Sequence, residues 1–283
     1  MVKFAHRHDE KPDPVYVASD LERRARQQLD YGSPSLALQL AEQALHLRRE
    51  ELPGTEYWTL DLVGLANLAL AEYERARNAF SEAVELIQKD YYEDHPNIAP
   101  ILDHWAFCCV EEGELIKAEE LSKRSLAIKH KSLLLQDVQT VETMRSLAEI
   151  QRRLEKYKEA EALLQQALKV VEPSTIGPVE EFYYELALLN QDQAKYDEAE
   201  EYYKKALPIF VDRAGKSARY ATCLQSYATL LRDTKRGAKA KKLDAEALGI
   251  LAEISENRLA QLDQNKPGSV LFYEPLFACT ILH

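Results

Sequence analysis

Small residues recur at fixed positions along the chain and are flanked by aliphatic and aromatic ones. One alanine returns six times, at intervals of 39, 42, 42, 39 and 41 residues. The recurring alanines are Ala37, Ala76, Ala118, Ala160, Ala199 and Ala240. A second small residue stands twelve positions before each of them: Ala25, Gly64, Ala106, Ala148, Ala187 and Ala228. Self-similarity at this period indicates a fold made by stacking one supersecondary unit.

The apolar pattern within each repeat predicts two antiparallel helices joined by a short turn. Small side chains allow two helices to approach closely, and large residues three or four positions away interdigitate around that contact. Tyr73, Tyr157 and Tyr196 stand three residues before the recurring alanine, where the second helix should begin. The chain is therefore expected to be all-α.

The two ends of the chain depart from the repeat pattern. Residues 1–18 are polar and contain two prolines, so we expect an arm outside the repeat array of residues 19–253. The helical spacing from Ile250 to Asn265 predicts a capping helix, ending over 254–265, because stacked arrays need a solvated last face. Residues 266–283 form an apolar tail. Either this tail packs on its own array, or it docks on a partner or a second copy.

These repeats resemble the tetratricopeptide repeat (TPR), which has small residues at positions 8, 20 and 27 and often a tyrosine at 17. Their period of about 40 exceeds the usual 34. A period of this length is similar to that of the repeats in kinesin light chain and many bacterial TPR proteins. The segment Asp94-His95-Pro96-Asn97-Ile98-Ala99 also resembles a sequence found between the repeats of those proteins. The resemblance implies a right-handed superhelical α-solenoid of six helix-turn-helix repeats plus the capping helix.

The same resemblance implies a binding surface, because the first helix of each TPR pair lines a concave groove. Counting back from each recurring alanine places ten candidate partner-binding residues there: Trp58, Asp61, Leu65, Phe107, Arg145, Arg152, Arg153, Tyr184, Gln191 and Arg232. Trp58 and Phe107 are candidate anchors for a partner. Alternatively, either of them closes the core.

Three arginines make the fourth repeat distinctive. Arg145, Arg152 and Arg153 have the spacing of one helix face. Guanidinium groups suit carboxylates or phosphates, so a partner segment with apolar and acidic side chains is expected here. Salt bridges to Glu149 are the alternative.

Composition and charge exclude some classes of partner and some cellular compartments. The net charge of −11 argues against a nucleic-acid or membrane-surface partner. Four cysteines without a CxxC pair favour a reducing compartment. The sequence has neither a secretory signal nor an apolar run of about 20 residues, so it predicts a cytoplasmic protein.

Catalytic signatures are absent from the sequence: it has no GxGxxG, GxxxxGK[ST], HExxH or GxSxG. We expect neither an enzyme nor a bound cofactor or metal. Asp94 and His95 fit a turn, and Asp103 and His104 fit the following helix, better than a metal site. The predicted function is a non-enzymatic adaptor that holds a protein segment in its groove. A peptide sensor that changes superhelical pitch and a protein that self-assembles through its tail are the alternatives.

Overall fold

The computed structural model describes residues 13–132, 138–172 and 177–263. Within these ranges the chain forms α-helices and no strands, as the repeat pattern predicts. The helices are α1 (Pro14–Asp30), α2 (Pro34–Glu51), α3 (Tyr57–Ala69), α4 (Tyr73–Asp90), α5 (Ile98–Glu111), α6 (Leu115–Ser132), α7 (Val138–Arg153), α8 (Tyr157–Val171), α9 (Val179–Asp192), α10 (Tyr196–Ala214), α11 (Ala218–Asp233) and α12 (Gly237–Asp263). The apolar tail predicted at 266–283 lies outside the described residues.

The chain divides into two compact units between Glu114 and Leu115. The first unit contains α1 to α5, and the second contains α6 to α12. In the first unit, α1 packs on α2 and α3 on α4; in the second, α7 packs on α8, α9 on α10 and α11 on α12. Odd-numbered helices also contact each other within a unit, α3 lying between α1 and α5, and α9 between α7 and α11. These five predicted helix pairs are confirmed.

The recurring small residues lie where these helices meet. All six recurring alanines are at most 1% exposed. Gly64 on α3 shows how close the approach is, because a Cβ atom there would lie 2.7 Å from Phe80 Cδ1 on α4. Phe80 is fully buried, so the absence of a side chain at position 64 provides the space for its ring.

A left-handed residue ends each odd-numbered helix, five positions before the recurring alanine. These residues are Gly32, Ala71, Gly113, Glu155, Ala194 and Lys235, with φ between 56° and 81°. The next amide donates to a carbonyl five residues back, as from Glu72 N to Asn67 O at 2.9 Å, and Ala71 N donates to Leu68 O at 3.0 Å. This is the Schellman motif, which satisfies carbonyls at a helix end. Four of the six turns adopt this motif without glycine, and the left-handed conformation of the residue there costs about 1 kcal/mol or more in each.

Two of the predicted boundaries need correction. Helix α1 begins at Pro14, where Asp13 Oδ1 accepts a hydrogen bond from Val15 N at 2.9 Å, and Ala18 is buried. Residues 14–18 are therefore helical and do not belong to a polar arm. Helix α12 runs unbroken from Gly237 to Asp263, so the predicted capping helix is the continuation of the last repeat's second helix.

Candidate functional site

The ten predicted partner-binding residues all lie on odd-numbered helices, which are the first helices of the repeats. We call the side chains of these helices that are not packed on the second helices the first-helix surface, and we describe it separately for each unit. Burial separates the ten residues into three groups. Asp61 and Tyr184 are buried, Trp58, Arg153 and Arg232 are exposed, and the other five are half-buried.

In the first unit, Asp61 on α3 pairs with His104 on α5. Asp61 Oδ1 lies 2.7 Å from His104 Nδ1, and Asp61 is 1% exposed. Burial opposes protonation of the imidazole, but the Asp61 charge outweighs it, so the pKa of His104 is raised above its ordinary value. Asp61 thus connects two first helices, a role that its sequence position does not reveal because its partner is 43 residues away.

Trp58 belongs to a group of aromatic side chains at one end of the same helices. Its ring centroid lies 5.5 Å from that of Tyr57, and His95 lies 4.5 Å from Tyr91 and 5.1 Å from Tyr92. Burial and the neighbouring Tyr91 hydroxyl raise the pKa of Tyr57. The pair Tyr57 and Trp58 therefore lies beside the group of Tyr91, Tyr92 and His95. We call these five residues the aromatic surface. Sequence reasoning found only Trp58, although the pair Tyr91-Tyr92 directly after a helix was a usable signal.

In the second unit, two of the predicted arginines on α7 face a glutamate on α9. Arg145 Nη1 lies 3.8 Å from Glu185 Oε1, and Arg152 Nε lies 3.8 Å from Glu185 Oε2. Both guanidinium groups also make shorter contacts. Arg145 lies 3.0 Å from Glu142, and Arg152 lies 2.6 Å from Asp192. Salt bridges therefore occupy these arginines, as the alternative reading expects, but Glu142, Glu185 and Asp192 are the partners rather than Glu149.

A third arginine joins the network from α11. Arg219 forms a two-pronged contact with Glu181, with Nε 2.9 Å from Oε1 and a second short contact from Nη2 to Oε2. Its guanidinium also lies 5.6 Å from the ring centroid of Tyr184. We call Arg145, Glu149, Arg152, Glu181, Glu185 and Arg219 the charged cluster. Sequence reasoning did not identify Glu181, Glu185 or Arg219, because each is an ordinary charged residue until the fold places it.

Glu185 is the least compensated member of the charged cluster. It is 4% exposed, and its Oε2 has no hydrogen-bond partner among the described residues. Burial, followed by repulsion from Glu149, raises the pKa of Glu185 to about 7 against the opposing effect of the arginines. Arg152 Nε is also buried and has no hydrogen bond within the part of the chain that the structure describes.

The remaining predicted residues have structural neighbours or face solvent. Tyr184 shares a 2.9 Å hydrogen bond with Ser226, and Tyr203 donates to Gln191 at 2.7 Å. Arg232 pairs with Asp244 at 2.6 Å. Arg153 makes no ion pair within the described residues, so it does not join the other two arginines of α7.

The described residues offer little for metal or thiol chemistry. Within them, no group of three or more His, Cys, Asp or Glu side chains is arranged to hold a metal ion. Burial raises the pKa of the Cys108 thiol to about 12, which makes it a poor nucleophile near neutral pH. Across the same part of the chain, no helix combines the length and the apolar character needed to cross a membrane.

Three solved structures of similar fold share less than 20% sequence identity with this chain. TPR-like repeats described as those of a kinesin light chain from Podosopora anserina share 19% identity over 71% of this chain and 98% of their own, with a TM-score of 0.62. BtubC (BKLC) from P. vanneervenii shares 17% over 94% and 98%, with a TM-score of 0.58. A Rap protein complexed with competence and sporulation factor shares 16% over 87% and 67%, with a TM-score of 0.63. These likenesses support the fold.

A search of curated proteins finds no significant match to this sequence. The family model of the tetratricopeptide repeat matches residues 97–172 and 179–253, which make up more than half of the chain. Its fold is that of a protein–protein interaction scaffold. With the six repeats, their Schellman turns and their buried alanines, this match assigns the chain to the tetratricopeptide repeat family.

Proposed function

We propose that this protein is a non-enzymatic scaffold that binds an extended segment of a partner protein along the first-helix surface of its second unit. The charged cluster of α7, α9 and α11 is the observation that carries the proposal. Arg152 Nε and Glu185 Oε2 are buried there 3.8 Å from each other, and neither has a hydrogen-bond partner among the described residues. Each such group costs roughly 1–3 kcal/mol. An apolar core would avoid that cost, which favours a binding role over a purely structural one for these charges.

The pairing of the arginines changes the expected chemistry of the partner at this position. Arg145 and Arg152 already contact carboxylates, whereas Glu149 makes no ion pair within the described residues. The carboxylates of the charged cluster and its neighbours outnumber its three guanidinium groups. We therefore propose that a basic or hydrogen-bond-donating side chain of the partner lies beside Glu149, in place of the acidic one that the sequence alone favours. Arg153 remains available for an acidic group.

The similar structures support a binding role without identifying the partner. A Rap protein of similar fold forms a complex with competence and sporulation factor, which supports a binding role for this fold. Peptide sensing and self-assembly through the tail remain predictions for this chain.

A charge reversal on the first-helix surface tests the proposal. Wild-type protein, Glu149→Arg on α7 and Glu159→Arg on α8 would each be immobilised, and proteins captured from the native cell would be quantified by mass spectrometry. Glu159 is exposed on a second helix, so it controls for the change in charge. We expect Glu149→Arg to lose specific partners that Glu159→Arg retains. Equal capture by both variants and the wild type would show that the first-helix surface does not bind them.

A further inference from the structure

The aromatic surface of the first unit carries large rings that are exposed in the described part of the chain. Trp58 is 43% exposed, Tyr91 54% and Tyr92 57%. Two chain segments contribute these rings, namely the start of α3 and the connection from α4 to α5. Such a concentration of exposed tryptophan and tyrosine is unusual for a surface without a partner, because these residues are characteristic of interaction hot spots.

The geometry of the two segments keeps the rings together. Gly54 in the α2–α3 connection has a φ of 91°, and a Cβ atom placed on it would lie 3.4 Å from Asp90 Oδ2 at the end of α4. His95 Nδ1 accepts a hydrogen bond from Asn97 N at 3.2 Å, so its ring proton is on Nε2 and its orientation between Tyr91 and Tyr92 is set. The aromatic surface is thus a structured platform.

Carboxylates surround this platform. Asp90 and Glu93 are exposed next to Tyr91 and Tyr92, and Asp94 follows them. Glu56 immediately precedes Tyr57; it is 6% exposed, and its Oε2 has no hydrogen-bond partner among the described residues. Lys89 is the lone lysine or arginine in the segments 54–58 and 88–97. Arg48 lies near Glu56 and Tyr57 and is paired with Glu22. The carboxylates around the rings still outnumber Lys89 and Arg48, so the local charge is negative.

We propose that the aromatic surface is a second binding site, which takes an arginine side chain from a basic segment of a partner protein. The face of an aromatic ring attracts a cation, most strongly at tryptophan, and the planar guanidinium group also stacks on tyrosine. The surrounding carboxylates attract the basic segment and accept its N–H groups. Negative charge around the rings excludes nucleic-acid phosphates as the occupant. The site is independent of the charged cluster, because all of its residues belong to the first unit.

A synthetic peptide in which arginine alternates with serine tests the proposal, with citrulline in place of arginine as the matched neutral peptide. Isothermal titration calorimetry would measure the dissociation constant for wild-type protein, for Tyr91→Ala combined with Tyr92→Ala, and for Trp58→Ala. Tyr16→Ala combined with Tyr31→Ala is the control, because both tyrosines are exposed on or beside α1, far along the sequence from the site. Circular dichroism would confirm that each variant is folded.

We expect the arginine peptide to bind the wild type and the control alike, and the aromatic variants about tenfold more weakly. Asp90→Asn combined with Glu93→Gln should also weaken binding and reduce its salt dependence. Equal binding of the citrulline peptide, or unchanged binding by the aromatic variants, would overturn the proposal. Loss of binding in Glu149→Arg but not in the aromatic variants would assign the peptide to the charged cluster instead.

Discussion

The imidazole of His104 and the carboxylate of Asp61 lie 2.7 Å apart and join α5 to α3 on the first-helix surface. The pair is shielded, with Asp61 buried and His104 three-quarters buried. Asp103 adds to the attraction for a protonated imidazole, and Arg26 opposes it. Because the pKa of His104 is raised above its ordinary value, this contact should make the stability of the first unit depend on pH.

We predict that this pair strengthens the folded state at low pH and weakens as pH rises. The pKa of His104 is raised in the folded protein, so its contribution is fully present below the ordinary value of 6.5 and is lost as pH passes the folded value. Urea unfolding of the wild type and of Asp61→Asn should differ by about 1.5–3 kcal/mol near pH 6 and by less near pH 9. A difference that does not change with pH would contradict the prediction.

Glu185 should cause a second dependence of stability on pH, through burial of an acidic group. Burial and Glu149 raise its pKa to about 7, so the folded protein holds a proton that the unfolded chain releases near pH 4.5. Stability should therefore fall by on the order of 2 kcal/mol as pH rises from about 4.5 to 7. Glu185→Gln should remove this slope, and Glu149→Gln should reduce it. Urea titrations at several pH values would measure it, and an unchanged slope in Glu185→Gln would refute the assignment.

The pair between Arg219 and Glu181 should be worth more than a surface salt bridge. Both side chains are largely buried, and Arg219 holds the pKa of Glu181 below its ordinary value after overcoming the effect of burial. Arg219→Leu leaves a buried carboxylate unpaired and should lower the free energy of unfolding by about 2 kcal/mol. The double variant with Glu181→Leu should recover part of this loss. Additive losses in a double-mutant cycle would mean that the two groups do not interact.

Glycine-to-alanine substitutions on two different helices should change the stability of the protein in opposite directions. Alanine is better than glycine in a helix by about 1 kcal/mol. At Gly249 in α12 nothing lies within 4 Å of the added Cβ, so Gly249→Ala should stabilise by roughly that amount. At Gly64 the added atom collides with the buried Phe80 ring, and overpacking of about 1–3 kcal/mol outweighs the gain. Thermal unfolding of the two variants would compare them directly, and stabilisation in Gly64→Ala would contradict the close packing.

The repeat architecture could be predicted from the sequence because its determinants are local. A small residue at Ala160 and another at Ala148 define one helix pair, and the same spacing recurs five more times. The left-handed turn residues were not predicted, because glycine marks only two of the six. Glu155 and Lys235 adopt the same conformation without any compositional sign.

The candidate sites were less predictable, because they depend on pairs distant in sequence. Arg152 was identified from its helix face, but its neighbours Glu185 and Asp192 are 33 and 40 residues away. Trp58 was identified from the sequence. That Tyr91 lies near it depends on where α4 ends relative to the start of α3. Periodicity gives the face of a helix, and the relative placement of two helices decides which charges meet.

The Schellman turns also bear on how the protein folds. Each one closes over six residues, so the two helices of a pair meet through contacts that are short in sequence and require little loop-closure entropy. Topologies dominated by such contacts fold rapidly. Every turn can begin a helix pair without waiting for the others, and neighbouring pairs then grow upon it. A chain of this kind has as many starting points for folding as it has turns, and damage to one of them leaves the others able to nucleate.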